Sequence, residues 1–235
     1  MNSFSEIRTY ILRKTRVLRK KGTLRKELEI IKNKNFVIIS DNCWGGEVYK
    51  WYNRAYNTPF VGLGIYGECY IKLLSSFDYY MGLELKFKPQ NETKHPHMFK
   101  KAYYPMGLLG DIEIHFVHYN SEQDAKDKWD KRTKRMMAVS DKNSFFFKFC
   151  DDWKAEVKQF EQFHKLPFKN KVSFIPDNKK CFDHPEHIAV YERHRTNTTQ
   201  VPNGVGLFKI TFLYFDLAQW LSTSNVRRTK YYVSK

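Results

Sequence analysis

The stretch that decides the fold, residues 35–53, reads NFVIISDNCWGGEVYKWYN. Residues 36–39 are continuously apolar, which is typical of a short strand covered on both faces. Residues 41–46 have turn composition, and residues 47–53 can form a helix that begins at the carboxyl end of the strand. We therefore predict a strand-turn-helix unit of an α/β protein, with a ligand site between residues 41 and 47.

Strands and helices alternate through the rest of the chain. Such alternation implies crossover connections, a largely parallel sheet and helices on both faces. We predict a three-layer α/β/α sandwich formed by residues 35–235 as a single domain, which suits a chain of 235 residues. Predicted strands cover residues 59–63, 82–87, 112–119, 145–149, 172–175, 188–191 and 207–212, and predicted helices cover residues 69–76, 121–137, 153–163 and 216–221.

Half of the net charge of +16 lies in residues 1–34, which hold eleven Lys or Arg against three Glu. Apolar residues recur there near helical spacing, so a basic amphipathic helix should precede the α/β domain. Its apolar stripe could pack on the domain, or the helix could lie on an anionic membrane surface at the inner face. Nucleic acid is a third partner consistent with this charge and the least favoured.

The chain has no apolar leader with a cleavage site and no run of 18 apolar residues. Its four cysteines are widely spaced and lack zinc-finger spacing. A cytoplasmic protein with free thiols, peripheral at most to the membrane, is therefore expected.

The turn after the first predicted strand is the first candidate site. Gly45 and Gly46 allow close backbone approach, so their amides could hold a phosphate or an oxyanion. Cys43 stands where a helix end would lower the pKa of a thiol, which makes it a candidate nucleophile. A tight turn with an inert cysteine is the alternative. The ligand-binding candidates of this turn are Asp41, Asn42, Trp44, Gly45, Gly46 and Glu47.

A second group of polar residues surrounds the strand predicted at residues 112–119. Period two places Asp111, Glu113 and His115 on one face and His118 on the other, so these four cannot share one metal ion. No metal site is predicted. A carboxylate paired with His115 could perform acid-base catalysis, or the strand could be half exposed at an edge.

The following helix carries Trp129, Arg132 and Arg135 at intervals of three residues. Such a ridge could clamp a phosphate or a carboxylate, although a charged solvated face has the same pattern.

Five blocks in order carry a resemblance to a bacterial family. They read ISDNCWGGEVYKWYN (39–53), TPFVGL (58–63), YPMGLLGDIEIHFVHY (104–119), DAKDKWDKRTKRM (124–136) and FFFKFCDDW (145–153). Over residues 35–175 the chain resembles proteins labelled exopolysaccharide or capsular polysaccharide biosynthesis proteins, and sometimes acyltransferases. The resemblance implies an α/β fold and a surface-polysaccharide context, and it carries over no catalytic residue.

Two functions follow as expectations. The first is an acyl or glycosyl transferase of surface-polysaccharide assembly, with a coenzyme A thioester or a nucleotide sugar as donor and a sugar or lipid-linked sugar as acceptor. Convergence of Cys43, Gly46, His115 and Arg132 in one pocket would favour this enzyme. The second is a non-catalytic protein that binds a nucleotide sugar, a lipid phosphate or nucleic acid.

Overall fold

The computed structural model describes residues 20–95, 103–179, 183–192 and 199–229, together with Ile7, residues 10–12 and Thr15. Within them, helices and strands are mixed along the chain but do not alternate strictly as the sequence predicts. The elements are α1 (Lys20–Ile31), β1 (Val37–Ser40), α2 (Trp44–Trp51), α3 (Gly67–Ser75), α4 (Phe77–Met81), β2 (Leu85–Lys88), β3 (Met106–Leu109), β4 (Ile112–His115), α5 (Glu122–Met137), β5 (Phe145–Cys150), α6 (Val157–Lys165), β6 (Asn170–Pro176), β7 (His187–Val190), α7 (Gly204–Thr211) and α8 (Leu217–Thr223).

A four-stranded parallel sheet in the order β1-β5-β6-β7 separates two apolar cores. Successive side chains of a strand point to opposite faces, so neighbouring residues of β1 enter different cores. Val37 lies in the core that contains α3, α6 and a second sheet. Ile38 lies in the core that contains α2, α7 and α8. The predicted parallel sheet with helices on both faces is confirmed.

The second sheet is antiparallel, has three strands in the order β2-β3-β4, and was not predicted as a separate unit. A two-residue turn joins β3 to β4, and Gly110 has a φ of +63° there, which glycine adopts without steric cost. Strand β4 ends at His115, four residues before the predicted end. Strand β2 lies at an edge of this sheet and is partly exposed.

Two predicted strands are wrong. Residues 59–63 form bends rather than a strand, because Gly62 adopts a φ of +72°. Residues 207–212 belong largely to helix α7, whose start is fixed by Asn203, since its side chain accepts a hydrogen bond from the Gly206 amide at 2.9 Å. An apolar run of this length fits a buried helix as well as a buried strand.

Helix α1 is the longest described part of the predicted basic segment. It runs through Gly22 and contacts α8. Leu12 and Leu24 pack against the core of α2, α7 and α8. All five basic residues before Lys20 lie outside the described residues, so the predicted membrane-binding face stays a prediction. None of the described helices is long and apolar enough to cross a membrane.

Candidate functional site

A pocket of about 300 Å³ lies beyond the carboxyl end of β1, at the start of α2. Ligands of parallel α/β sheets bind at this kind of position. Four residues singled out from the sequence, Cys43, Gly46, Glu47 and Arg132, share the pocket. The lining residues are Cys43, Gly46, Glu47, Lys50, Tyr56, Val61, Gly62, His118, Tyr119, Lys128, Arg132 and Val205.

A fully buried lysine fixes the turn that leads into this pocket. Lys148 of β5 pairs with Ser40 across the sheet, and its ammonium donates to Asp41 Oδ1 at 2.8 Å and to Asn42 Oδ1 at 2.9 Å. The Cys150 amide donates to the other Asp41 oxygen at 3.1 Å. Burial lowers the pKa of Lys148, but Asp41 and Cys150 outweigh it, so the pKa is raised and the ammonium stays charged.

Asn42 connects the turn to helix α2. Its side-chain oxygen accepts a hydrogen bond from the Trp44 amide at 3.1 Å, and its Nδ2 donates to Asp152 Oδ2 at 3.0 Å. With this contact the helix begins at Trp44, three residues earlier than predicted. Asp41 and Asn42 therefore shape the turn and do not line the pocket.

Two further residues of the predicted turn, Trp44 and Gly45, are the first residues of α2 and do not line the pocket. Trp44 is fully buried, and its indole N–H donates to Thr211 Oγ1 at 2.9 Å. Gly45 packs so closely on β1 that a Cβ atom there would lie 3.1 Å from side-chain atoms of Ile38 and Ser40. Gly46 is the glycine that faces the pocket.

Cys43 lines the pocket, but its chemistry differs from the prediction. Burial raises the pKa of the thiol to about 12, and the carboxylates of Asp152 and Glu47 add to the rise. The thiol lies 3.6 Å from the carbonyl oxygen of Leu63 and can donate to it. The predicted lowering of the pKa is wrong, because desolvation and two anions outweigh the helix terminus.

Three cationic side chains line the pocket, and they differ in their partners. Lys50 pairs with Glu47 at 2.6 Å, and Lys128 pairs with Asp124 at 2.7 Å. Among the described residues, Arg132 makes no salt bridge. Its guanidinium donates to the Tyr119 hydroxyl at 2.8 Å and lies 5.0 Å from the ring centroid of Tyr56. The pocket therefore offers one guanidinium whose charge no described carboxylate neutralises.

Three of the polar residues around β4, Asp111, Glu113 and His115, lie away from this pocket. Asp111 is in the turn before β4 and binds Lys72 at the surface. Glu113 is buried and accepts from Lys88 at 2.6 Å, and His115 is buried with its Nδ1 3.2 Å from the Tyr104 hydroxyl. His115 therefore does not converge with Cys43, Gly46 and Arg132.

The predicted ridge on α5 is divided between core and solvent. Trp129 is buried against Phe60 and Phe116. Arg135 is exposed and does not line the pocket. Only Arg132 of the three faces the pocket, because residues three apart on a helix drift around its axis.

Several residues of the site were not predicted. Lys148 had a signal in the sequence, since a lysine within the apolar run FFFKFC needs a buried partner. His118 was considered only together with the polar residues of β4, and Lys50 and Tyr56 had no signal, because long-range packing brings all three to the pocket.

The α/β fold and pocket can now be placed in a family. Residues 14–222 match the family described as Domain of unknown function (DUF1919). The chain belongs to this family, and the match includes the whole pocket. A protein of Haemophilus influenzae described as an uncharacterized protein is 31% identical over 193 residues, which cover 82% of this chain and 85% of that protein. Neither description mentions polysaccharides or acyl transfer.

Proposed function

We propose that the pocket binds the phosphate groups of an activated donor, and that the protein transfers an acyl or glycosyl group to a sugar in surface-polysaccharide assembly. The proposal rests on the Arg132 guanidinium, which lines a pocket at the end of β1 and forms no salt bridge with the residues that the structure describes. A guanidinium binds phosphate through two parallel hydrogen bonds. The first amides of α2 lack intrahelical acceptors, and Gly46 presents this end of the helix to the pocket.

Nucleotide sugars and coenzyme A thioesters both contain a pyrophosphate, so one anion site suits either donor. Lys50 and Lys128 stand at the same pocket and can add positive charge. The acceptor would be a sugar or a lipid-linked sugar. Association of residues 1–34 with anionic lipid would bring the protein to such acceptors at the inner membrane face.

The acid-base group of this reaction is assigned to His118, because it lines the pocket and is exposed. The acceptor oxygen attacks the carbonyl or anomeric carbon of the donor, and its proton moves to His118. The bond to the thiolate or nucleoside diphosphate breaks, and this leaving group keeps the electron pair. Cys43 takes no part as a nucleophile, because its raised pKa keeps the thiol protonated at neutral pH.

A second candidate is a protein that binds the same donors without catalysis. The position of His115 favours it, since this predicted acid-base residue does not line the pocket. Nucleic-acid binding requires residues 1–34 and 126–135 to form one face, and most of residues 1–19 lie outside the described residues.

Binding is tested by thermal unfolding with a nucleotide sugar, an acetyl coenzyme A or inorganic phosphate. At one hundred times the dissociation constant a ligand stabilises the native state by about 2.7 kcal/mol, which raises Tm by roughly 5–10 °C for a chain of this size. We expect one donor class to give this shift. Arg132→Gln should abolish it, whereas Lys134→Gln, which removes one exposed charge from the same helix, should retain it.

Turnover distinguishes the two candidates. His118→Gln should retain the thermal shift and lose transfer to a sugar acceptor. If neither the wild type nor the variant transfers a group to the acceptor while both show the thermal shift, the result supports a protein that binds the donor without catalysis. The absence of a shift with every donor, or an equal shift in Arg132→Gln, contradicts the phosphate site itself.

A further inference from the structure

Two histidines and a glutamate converge at a second place in the fold. His164 lies in the last turn of helix α6, and His184 and Glu186 lie in the segment between β6 and β7. One ligand atom from each lies within 4.8 Å of the other two. None of the three lines the pocket described above. We call these three residues the His164 cluster.

The side chains of the cluster are closely packed against one another. His164 Nδ1 lies 3.6 Å from Glu186 Oε2, and the two side chains form an ion pair when His164 is protonated. The ring centroids of His164 and His184 are 4.1 Å apart. The His164 side chain is only 3% exposed, and that of Glu186 is 20% exposed. A carboxylate and two imidazoles thus face a small volume that stays accessible to solvent through Glu186.

We propose that the His164 cluster binds one divalent transition-metal ion, with Zn²⁺ as the best match. Two imidazoles and one carboxylate are a ligand set that zinc uses, with water in the fourth position of a tetrahedron. Imidazole ligands disfavour Mg²⁺ and Ca²⁺, which prefer oxygen.

A serine between two histidines orients His164 for this role. Ser173 Oγ lies 2.8 Å from His164 Nε2 and 2.7 Å from His187 Nδ1. The hydroxyl has one proton, so it donates to one ring and accepts from the other. When it accepts from His164 Nε2–H and donates to His187, the lone pair of His164 Nδ1 faces Glu186 and can bind the metal. Contacts of this kind fix the tautomer of metal-binding histidines.

His184 gives up one contact on metal binding. The Glu186 amide donates to His184 Nδ1 at 3.3 Å. Coordination through either ring nitrogen ends this bond, because Nδ1 then holds the metal or a proton. The bond is long, so its loss costs little. The ion would connect the end of α6 to the segment before β7 and stabilise both.

The test uses the full chain, freed of purification tags, dialysed against a chelator and titrated with Zn²⁺ under reducing conditions. We expect one zinc ion per chain by calorimetry and elemental analysis, with a higher Tm than the metal-free protein. Glu186→Gln and His164→Gln should lose this ion. Glu161→Gln, which removes an exposed carboxylate from α6, should retain it.

Ser173→Ala tests the orientation of His164 without removing any of the three proposed metal ligands. It should keep one zinc per chain but weaken the affinity by about tenfold to a hundredfold, as loss of such contacts does at other metal sites. Circular dichroism of each metal-free variant checks folding, and Glu186→Gln remains informative if His164→Gln does not fold. Zinc retained with unchanged affinity by Glu186→Gln, or no zinc bound by the wild type, overturns the proposal.

Discussion

The buried histidine of β4 should make the protein lose stability as the pH falls from 7 to 5. His115 is fully buried among Tyr66, Tyr104 and Trp153. Burial lowers its pKa from 6.5 to about 4, and the nearby charges of His95 and Lys88 act in the same direction. Glu113, whose Oε2 lies 3.7 Å from Nε2, opposes the shift without reversing it.

The sign and size of this loss of stability follow from the pKa of His115 in the unfolded chain and its lower pKa in the folded protein. The unfolded chain binds the proton near pH 6.5, whereas the folded protein binds it only near pH 4. The contribution of His115 to the free energy of unfolding is therefore fully present above about pH 6.5, and it is lost as the pH falls from 6.5 towards 4. Between pH 7 and pH 5 the free energy of unfolding should fall by about 2 kcal/mol because of this residue.

The assay is urea unfolding of the wild type and of His115→Asn at pH 7 and pH 5. Other groups titrate in this range, so the difference between the two proteins isolates His115. The variant should lose about 2 kcal/mol less on acidification. Tyr104→Phe, which removes the hydroxyl near Nδ1, should keep the wild-type pH dependence because burial is the main cause of the shift. Equal pH dependence of wild type and His115→Asn would refute the reasoning.

Two stability predictions concern the central sheet and its surroundings. Lys148→Met should lower the free energy of unfolding by about 3–5 kcal/mol, because Asp41 is left buried without its cation, and adding Asp41→Asn should recover part of this loss. Denaturant titration measures both, and an unchanged K148M protein contradicts the assigned ion pair. Gly64→Ala should cost about 1–3 kcal/mol, since the new Cβ would lie 1.9 Å from Trp153 Cζ2. A Cβ at Gly22 would meet nothing within 4 Å, so Gly22→Ala should raise Tm. If Gly64→Ala and Gly22→Ala changed Tm in the same direction, the result would contradict this reasoning.

Local patterns predicted the elements that depend on neighbouring residues. The apolar run at 36–39 became β1 because both faces of the sheet are covered. Helix α5 begins after Ser121, as predicted, since its hydroxyl accepts from the Asp124 amide at 3.1 Å. Helix α6 begins later than predicted because Glu156 and Gln159 form a capping box.

The features that the sequence did not predict depend on contacts between residues that are far apart in the chain. A separate antiparallel sheet could not be predicted from the alternation alone, because strand partners are chosen by tertiary packing. For the candidate site, turn chemistry and charge singled out the turn after β1 and Arg132, and the structure places Cys43, Gly46 and Arg132 at one pocket. His118 was set aside for lying on the other face of its strand from His115, and this is the histidine that lines the pocket.

The ion pair between Lys148 and Asp41 also has a consequence for the order in which the two sheets can form during synthesis. Lys148 follows Asp41 by 107 residues, and the second sheet lies between them. During synthesis the neighbours β2, β3 and β4 emerge together and can pair at once, whereas β1 must wait for β5. A nascent chain that ends before β5 exposes the apolar face of β1 and has no cation for Asp41, so the central sheet can form only after the second sheet has been made.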